Sequence, residues 1–562
     1  MKNPPKKAIA PAKGQKEASL TGSQGLGPGS LAPRLALAAL GGLAQALTLP
    51  KAGLWPLAFF CLIPLYLGVR GQSPKRAFLI GWTYGLALGL ASFSWLAQVM
   101  AGYGGLGAGG YAVLILLATY LAVYQGLWAI LMAPFRPDGP KAWLHPILGG
   151  AFWVGLDGLK NFVFTGFNWS PLAVGLALAP SLMGAADLIG LYGLALPVAA
   201  INGWLALAIP KNPKTGPLAA LAAGVFLALF LYGHKSDQAY TEIDLKGEPK
   251  AIAVLQASVE QEIKWDSAFR DQVLNRYALL FELAQKSQPW LTVWPETAAP
   301  FSYGQDAFET AWLDSLLAKA THESLVGVTS LRLEDDEWRL YNRAWLMGPD
   351  GPGPHYDKRH LVPFGEYVPL ADKLPFLRWA FLQGVLGAAG RLSPGQPTSP
   401  IVHDGTTLGI MICFESTFPY LARDRALEGA DLLVVTTNDA WFGDSWAPEQ
   451  HLYQAAWRAV EERRPLVRAA NNGISAWISP AGRILERSPQ NEINYYTYLV
   501  RLPAPASQEL TVYARLGYWL TPILAFLTVL TLLARLFRSP ATRAQGLKIY
   551  RFLVGSTKIS KQ

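Results

Sequence analysis

Eight long apolar stretches divide this sequence. Seven precede residue 235, at roughly 32–49, 53–70, 76–100, 109–135, 142–161, 180–210 and 216–234, and one follows at about 512–536. A helix of about twenty apolar residues crosses a bilayer core, so most of these stretches have the length of a membrane span, the first two being short. Backbone polar groups in lipid must bond within their own segment, so such stretches fold as helices. The predicted organisation is a basic, disordered tail (1–31), a seven-helix transmembrane bundle (32–234), a polar domain (235–511), an eighth transmembrane helix (512–536) and a second basic tail (537–562).

The placement of charge orients the chain. Residues 1–34 hold six Lys/Arg against Glu17 alone, and residues 535–562 hold seven against no acid. The net charge of +9 is therefore carried by the two ends, and the remainder is slightly negative. With the amino terminus inside, the inner loops hold Arg70, Lys75, Arg76, Arg136, Lys141, Lys211 and Lys214, while the outer loops hold only Lys51 and Lys160. This is the bias of cytoplasmic loops toward basic residues, and it argues against a nucleic-acid partner. Both termini are expected in the cytoplasm and the polar domain outside it, with no cleavable leader.

The polar domain, about 275 residues long, can bury a full core. Short apolar runs at 251–255, 291–294, 324–328, 344–347, 408–413 and 432–435 read as buried strands, and periodic segments at 271–284 and 451–463 as helices. Strands alternating with helices predict a layered α/β domain.

Three chemical groups follow strand ends or turns. Glu296 ends Leu291-Thr292-Val293-Trp294-Pro295-Glu296, Lys358 lies in Tyr356-Asp357-Lys358-Arg359-His360, and Cys413 closes Leu408-Gly409-Ile410-Met411-Ile412-Cys413. Cys413 and Cys61 are the two cysteines of the chain, and Cys61 falls inside an apolar stretch, so Cys413 has no disulfide partner. A carboxylate to take the thiol proton, a cation to stabilise an oxyanion and a thiolate to attack a carbonyl are the parts of acyl transfer through a thioester.

The sequence resembles the apolipoprotein N-acyltransferases, a membrane-embedded branch of the nitrilase superfamily. The resemblance rests on Trp294-Pro295-Glu296-Thr297, on Tyr356 through Glu366, on Ile412-Cys413-Phe414-Glu415, on Thr437 through Ser445, on Arg468 through Ser475, and on Gln261-Glu262-Ile263-Lys264-Trp265. It implies an integral membrane α-helical bundle carrying an extracytoplasmic nitrilase-like domain, an αββα sandwich. It further implies a bacterial inner-membrane enzyme with Glu296 as general base, Lys358 as electrophilic stabiliser and Cys413 as nucleophile. Glu366 and Glu415 would support the site, and Trp265, Phe414, Asn438 and Trp441 would line the substrate path. Where the family often has Tyr after the nucleophile, this chain has Phe414. The implied partners are a phospholipid acyl donor and a diacylated apolipoprotein acceptor. The enzyme is expected to act as a monomer by ping-pong kinetics, with no cofactor and no metal.

Other readings are weaker. A membrane-anchored nitrilase-type amidase would use the same triad but would not need the bundle. A transporter would leave paired intramembrane charges or broken symmetric helices, whereas Asp157 and Asp187 are the main charges in the spans and no repeat is evident. Gly102 through Gly107 matches a dinucleotide fingerprint only formally, since no strand precedes it. The histidines are scattered, apart from His355 and His360 in one loop. The apolar segment 370–390 inside the polar domain reads either as a buried core helix or as a mobile lid dipping into the outer leaflet beside the site.

Overall fold

The computed structural model describes residues 30–102, 105–135, 141–209, 216–369, 392–502 and 509–538. The expected lid at 370–390, almost all of both basic tails, and Arg136, Lys211 and Lys214 lie outside the described residues.

Helices coincide with all eight apolar stretches. Among the described residues, four helices are long and apolar enough to cross a membrane alone: Gly109–Met132, Ala186–Ala208, Gly216–Glu242 and Gly517–Arg535. Pro74–Ser92 and Ser94–Ala101, bent by 55°, make a fifth if they form one span, and Leu31–Ala46 and Trp55–Val69 are shorter apolar helices. The helix over the seventh stretch runs on to Lys246, so the polar domain begins its first strand at Glu248. Small residues let the spans approach closely. Gly81, Gly85 and Gly89 sit four apart on Pro74–Ser92 and face Gln125, Ala122 and Ala118 of Gly109–Met132. A Cβ at Gly81 would lie 2.2 Å from the Gln125 carbonyl oxygen, so only glycine permits this approach.

The polar domain is built on two sheets. In chain order the strands are β1 (Glu248–Gln256), β2 (Leu291–Val293), β3 (Ala299–Ser302), β4 (Ser324–Glu334), β5 (Glu337–Gly348), β6 (Gly351–Asp357), β7 (Ile401–His403), β8 (Thr406–Ile412), β9 (Leu432–Thr437), β10 (Leu466–Ala470), β11 (Ala476–Ile478), β12 (Ile484–Arg487) and β13 (Asn494–Leu502). The first sheet is ordered β13-β1-β2-β4-β5-β6, with β3 beside β4, and the second β12-β11-β10-β9-β8-β7. Every strand run expected from the sequence lies within or across one of these.

Side chains alternate faces along a strand, and the sheets use both faces. Ile252 and Val254 of β1 meet Leu408, Ile410 and Ile412 of β8 and Leu432 and Val434 of β9 in the core between the sheets. Ala253 and Leu255 of β1 face the other way, against Val273, Tyr277 and Phe281 of helix Arg270–Gln285 and Leu313 and Leu317 of helix Ala307–Leu317. Met411, Leu433 and Val435 face helix Ala447–Glu462. This is the four-layer αββα sandwich.

The helix Ala447–Glu462 is buried on both sides because it is also the seat of the bundle. Its Leu452, Ala456 and Val460 share one apolar cluster with Leu191, Leu194 and Met183 of the membrane part. Trp457 donates to the Val174 carbonyl at 3.2 Å, and Gln454 donates to the Trp169 carbonyl at 2.6 Å. Asp187, one of the charges noted in the spans, pairs with Arg463 at 2.7 Å. Asp157, the other, pairs with Lys160 at 2.7 Å. The helix Ala186–Ala208 breaks at Gly190, and the freed Leu191 N–H donates to Glu461 Oε1 at 2.7 Å. The intramembrane charges therefore serve as internal pairs and as struts to the polar domain.

Candidate active site

The parallel strands β1, β2 and β4 of one sheet, and β8, β9 and β10 of the other, leave their C-terminal ends on one side of the sandwich. Glu296 follows β2, Cys413 follows β8, and Asn438 and Asp439 follow β9. Lys358 continues β6, where its N–H donates to the Asn342 carbonyl of β5 at 2.8 Å.

Glu296 is buried, and each of its carboxylate oxygens has a partner. Oε1 accepts from Lys358 Nζ at 2.9 Å and from Asn342 Nδ2 at 2.7 Å, and Oε2 accepts from the Asn438 N–H at 2.9 Å. The turn that carries it passes close over β4: a Cβ at Gly327 would lie 2.0 Å from the Pro295 carbonyl oxygen. Burial alone would raise the Glu296 carboxyl, but Lys358 and Lys264 outweigh it and hold the group below the usual glutamate range.

Lys358 reaches a second carboxylate as well, with its Nζ 2.7 Å from Glu366 Oε1. Burial works against its charge, but Glu296, Glu366 and Cys413 together hold the ammonium well above its usual value. Glu366 also accepts from the Val362 N–H at 2.8 Å. Burial, and the like charge of Glu296 beyond the shared ammonium, push its carboxyl up. Two carboxylates around one ammonium thus divide unequally, with the ionised form favoured on Glu296.

Cys413 sits in the left-handed region at φ 54°, at the corner where β8 turns into the short helical turn Cys413–Thr417. Burial and then Glu296 push its thiol well up, while Lys358 and the Thr437 hydroxyl pull the other way. The thiol therefore rests protonated, within electrostatic reach of an ionised carboxylate and a fixed ammonium. The arrangement suits transfer of the proton to a base as a nucleophile is needed.

Glu415 holds this corner together. Its Oε1 accepts from Tyr356 Oη at 2.9 Å and from the N–H groups of Arg359 at 2.7 Å and His360 at 3.0 Å. Its Oε2 accepts from the Ile412 N–H at 2.7 Å. One fully buried carboxylate thus joins the loop of Lys358 to the strand end of Cys413.

Phe414 points toward the membrane part. It stacks at 6.3 Å on Phe167 and 6.4 Å on Trp169, and meets Phe418 edge-on at 5.0 Å. Trp95, Leu114 and Leu121 of the membrane helices belong to the same cluster. Asn438 is buried: besides supplying the N–H to Glu296, it donates from Nδ2 to Gln261 Oε1 at 2.9 Å and accepts from Asn471 Nδ2 at 2.9 Å. Trp265 is 47% exposed, and Trp441 is half-buried in the turn Asp439–Phe442.

Sequence reasoning missed several residues. Asn342, which bridges Glu296 and the Lys358 backbone, lies in a strand whose alternation carries no sign of it. His451 places Nε2 3.1 Å from the Cys413 carbonyl oxygen and Nδ1 3.0 Å from Asp439 Oδ1, and Arg468 reaches Asp439 Oδ2 at 2.6 Å. Asp439 and Arg468 stood inside the quoted motifs, but nothing in their spacing connected them to His451. Lys264 stood there too, beside Trp265.

Comparison with known proteins gives the family. The apolipoprotein N-acyltransferase of Geobacter metallireducens is 34% identical over 81% of this chain and 86% of its own length. The chain belongs to the apolipoprotein N-acyltransferase family. A second member of this family, from Azotobacter vinelandii, is 35% identical over 92% of this chain and 96% of its own. The model of the apolipoprotein N-acyltransferase N-terminal domain matches residues 41–204, the bundle, and that of carbon-nitrogen hydrolase matches 251–504, the two-sheet domain. Every candidate site residue named above in the polar domain falls within that second match.

Proposed function

We propose that this chain moves a fatty acyl group from a membrane phospholipid to the α-amino group of a diacylglyceryl-modified amino-terminal cysteine, through a thioester on Cys413. Glu296 takes the thiol proton as the sulfur attacks an ester carbonyl of the phospholipid. Lys358 stabilises the oxyanion of the tetrahedral intermediate. Collapse breaks the ester C–O bond, and the proton on Glu296 goes to the departing lysophospholipid alkoxide. The free amine then attacks the thioester and gives a proton to Glu296. Expulsion of the thiolate leaves an amide, and the thiolate regains the proton. Donor and acceptor use one site in turn, so ping-pong kinetics follow.

The observation that carries this reading is the shared aromatic cluster. Phe414, adjacent to the nucleophile, packs against Phe167, Trp169 and Trp95, so the candidate thiol lies where the polar domain meets the membrane helices. Exposing an acyl chain to water costs about 0.8 kcal/mol per CH₂, and a site at that junction lets both lipid substrates keep their chains in the bilayer. An amidase acting on small soluble amides needs no such junction. The proposed topology has both termini in the cytoplasm and the polar domain outside, in the bacterial inner membrane, with the chain acting as a monomer.

Intact mass spectrometry of the full-length protein in nanodiscs, given phospholipid alone, is the test. Wild type is expected to gain one fatty-acyl mass and Cys413→Ala none. Normal amide formation by Cys413→Ala sinks the mechanism.

A further inference from the structure

Lys264 is a second fully buried lysine beside the base, and the mechanism above gives it no task. It ends the short helical turn Gln261–Lys264, next to the exposed Trp265. Its Nζ donates to the Thr297 hydroxyl at 2.6 Å and to the Glu296 carbonyl oxygen at 3.1 Å. Thr297 is held at φ 45°, a left-handed conformation that a β-branched residue adopts only under constraint. The other end of the same turn reaches Glu296 through Asn438. Gln261 Oε1 accepts from Asn438 Nδ2, and the Asn438 N–H donates to Glu296 Oε2.

Resting on the acylation reading above, we propose that Lys264 is a positioning residue for the general base: it locks the Glu296–Thr297 turn and supplies the carboxylate with a second positive charge. The groups that face Glu296 are Lys358 with Glu366 behind it, Cys413, Asn342, the Asn438 N–H and Lys264. Lys358 touches the carboxylate itself, whereas Lys264 touches the backbone and the neighbouring hydroxyl. Its cost to the fold is visible, since burial brings its ammonium down to about 8 against the pull of Glu296 and Cys413. An ammonium kept in so unfavourable a place, with two bonds to the turn of the base, has its role there. Its Nζ also stands 6.0 Å from the Trp265 ring, linking the base to an aromatic at the surface.

The rate of Cys413 acylation against pH separates positioning from mere stability. The measurement uses full-length protein in phospholipid nanodiscs and reads the acyl adduct by mass. Lys264→Met is expected to acylate about tenfold to a hundredfold more slowly, because misplacing a reacting group by an ångström has that effect. Its acid limb should also move to higher pH, since Glu296 loses a positive neighbour. Lys264→Arg, which keeps the charge, should hold the limb of wild type, and Thr297→Val should slow the reaction without moving the limb. Lys264→Gln gives the same reading of the limb if Lys264→Met does not fold. An unmoved acid limb in the neutral variants overturns the proposal, whether or not their rate falls. Wild type that forms no adduct overturns the acylation reading instead.

Discussion

Glu415→Gln tests whether the geometry around Cys413 is held by one carboxylate. The glutamine amide keeps one oxygen for the three donors at the present Oε1: Tyr356 Oη and the N–H groups of Arg359 and His360. Its NH₂ group then faces the Ile412 N–H, which now donates to Oε2 at 2.7 Å. That buried N–H loses its acceptor, at about 1–3 kcal/mol. The three remaining bonds change from charge-assisted to neutral, each losing about 1 kcal/mol. The local loss is about 4–6 kcal/mol, and it falls on the residue before Cys413 and the two after Lys358. Burial raises the Glu415 carboxyl and those same N–H donors counter only part of that rise, so the substitution removes the donors' contribution and leaves the buried site. Thermal unfolding in detergent should drop by several degrees, and acylation of Cys413 from phospholipid should slow by about a hundredfold as the sulfur leaves its line of attack. Glu415→Gln that unfolds at the wild-type temperature and acylates within twofold of wild type refutes the argument.

Phe414→Ala opens a hole in the cluster of Phe167, Trp169 and Phe418, with an expected cost of about 3–5 kcal/mol in stability and a loss of acylation, read by chemical unfolding and by adduct mass. Arg463→Met strands Asp187 as a buried charge. It should destabilise by about 3–5 kcal/mol and make the junction between helix Ala447–Glu462 and the bundle sensitive to limited proteolysis, while wild type resists. Glu296 is held below the ordinary glutamate range, so its contribution to stability is present above the unfolded value of about 4.3 and is lost as pH falls through the folded one. The acylation rate should therefore hold through pH about 4.3 and fall only below it; an acid limb in the neutral range contradicts the assignment of Glu296 as an ionised base.

What was legible beforehand follows from local physics. Twenty apolar residues in a row commit a segment to a helix in lipid whatever surrounds it, so all eight helical stretches were marked in the sequence. Continuous apolar runs such as 408–413 and 432–435 were equally local, since both faces of those strands are buried. The strand-end positions of Glu296 and Cys413 could be read because an apolar run that stops at a polar residue marks where a strand leaves the core. Lys358, by contrast, was singled out for its charge in a motif, without a strand end to place it.

Other features depended on groups far apart in the chain. That Glu296 and Lys358 share an ion pair across 62 residues, with Asn342 as a third partner, is a property of sheet order and register. The same holds for Glu415, whose four donors come from two segments, and for His451 behind the Cys413 carbonyl. Lys264 had no apolar pattern to betray it, because a lysine in a polar segment reads as solvated until the fold closes over it. Asp187 read as an intramembrane charge until the structure placed Arg463 beside it. The sequence by itself determined the membrane helices and the strands, and it singled out Glu296, Lys358 and Cys413 as candidates, because each is marked by neighbours within about ten residues. Only the tertiary structure decided which charges are paired, which carboxylate stays ionised and how the Cys413 corner is held against the membrane helices. Burial and Coulomb attraction act through space, and no short window of sequence contains them.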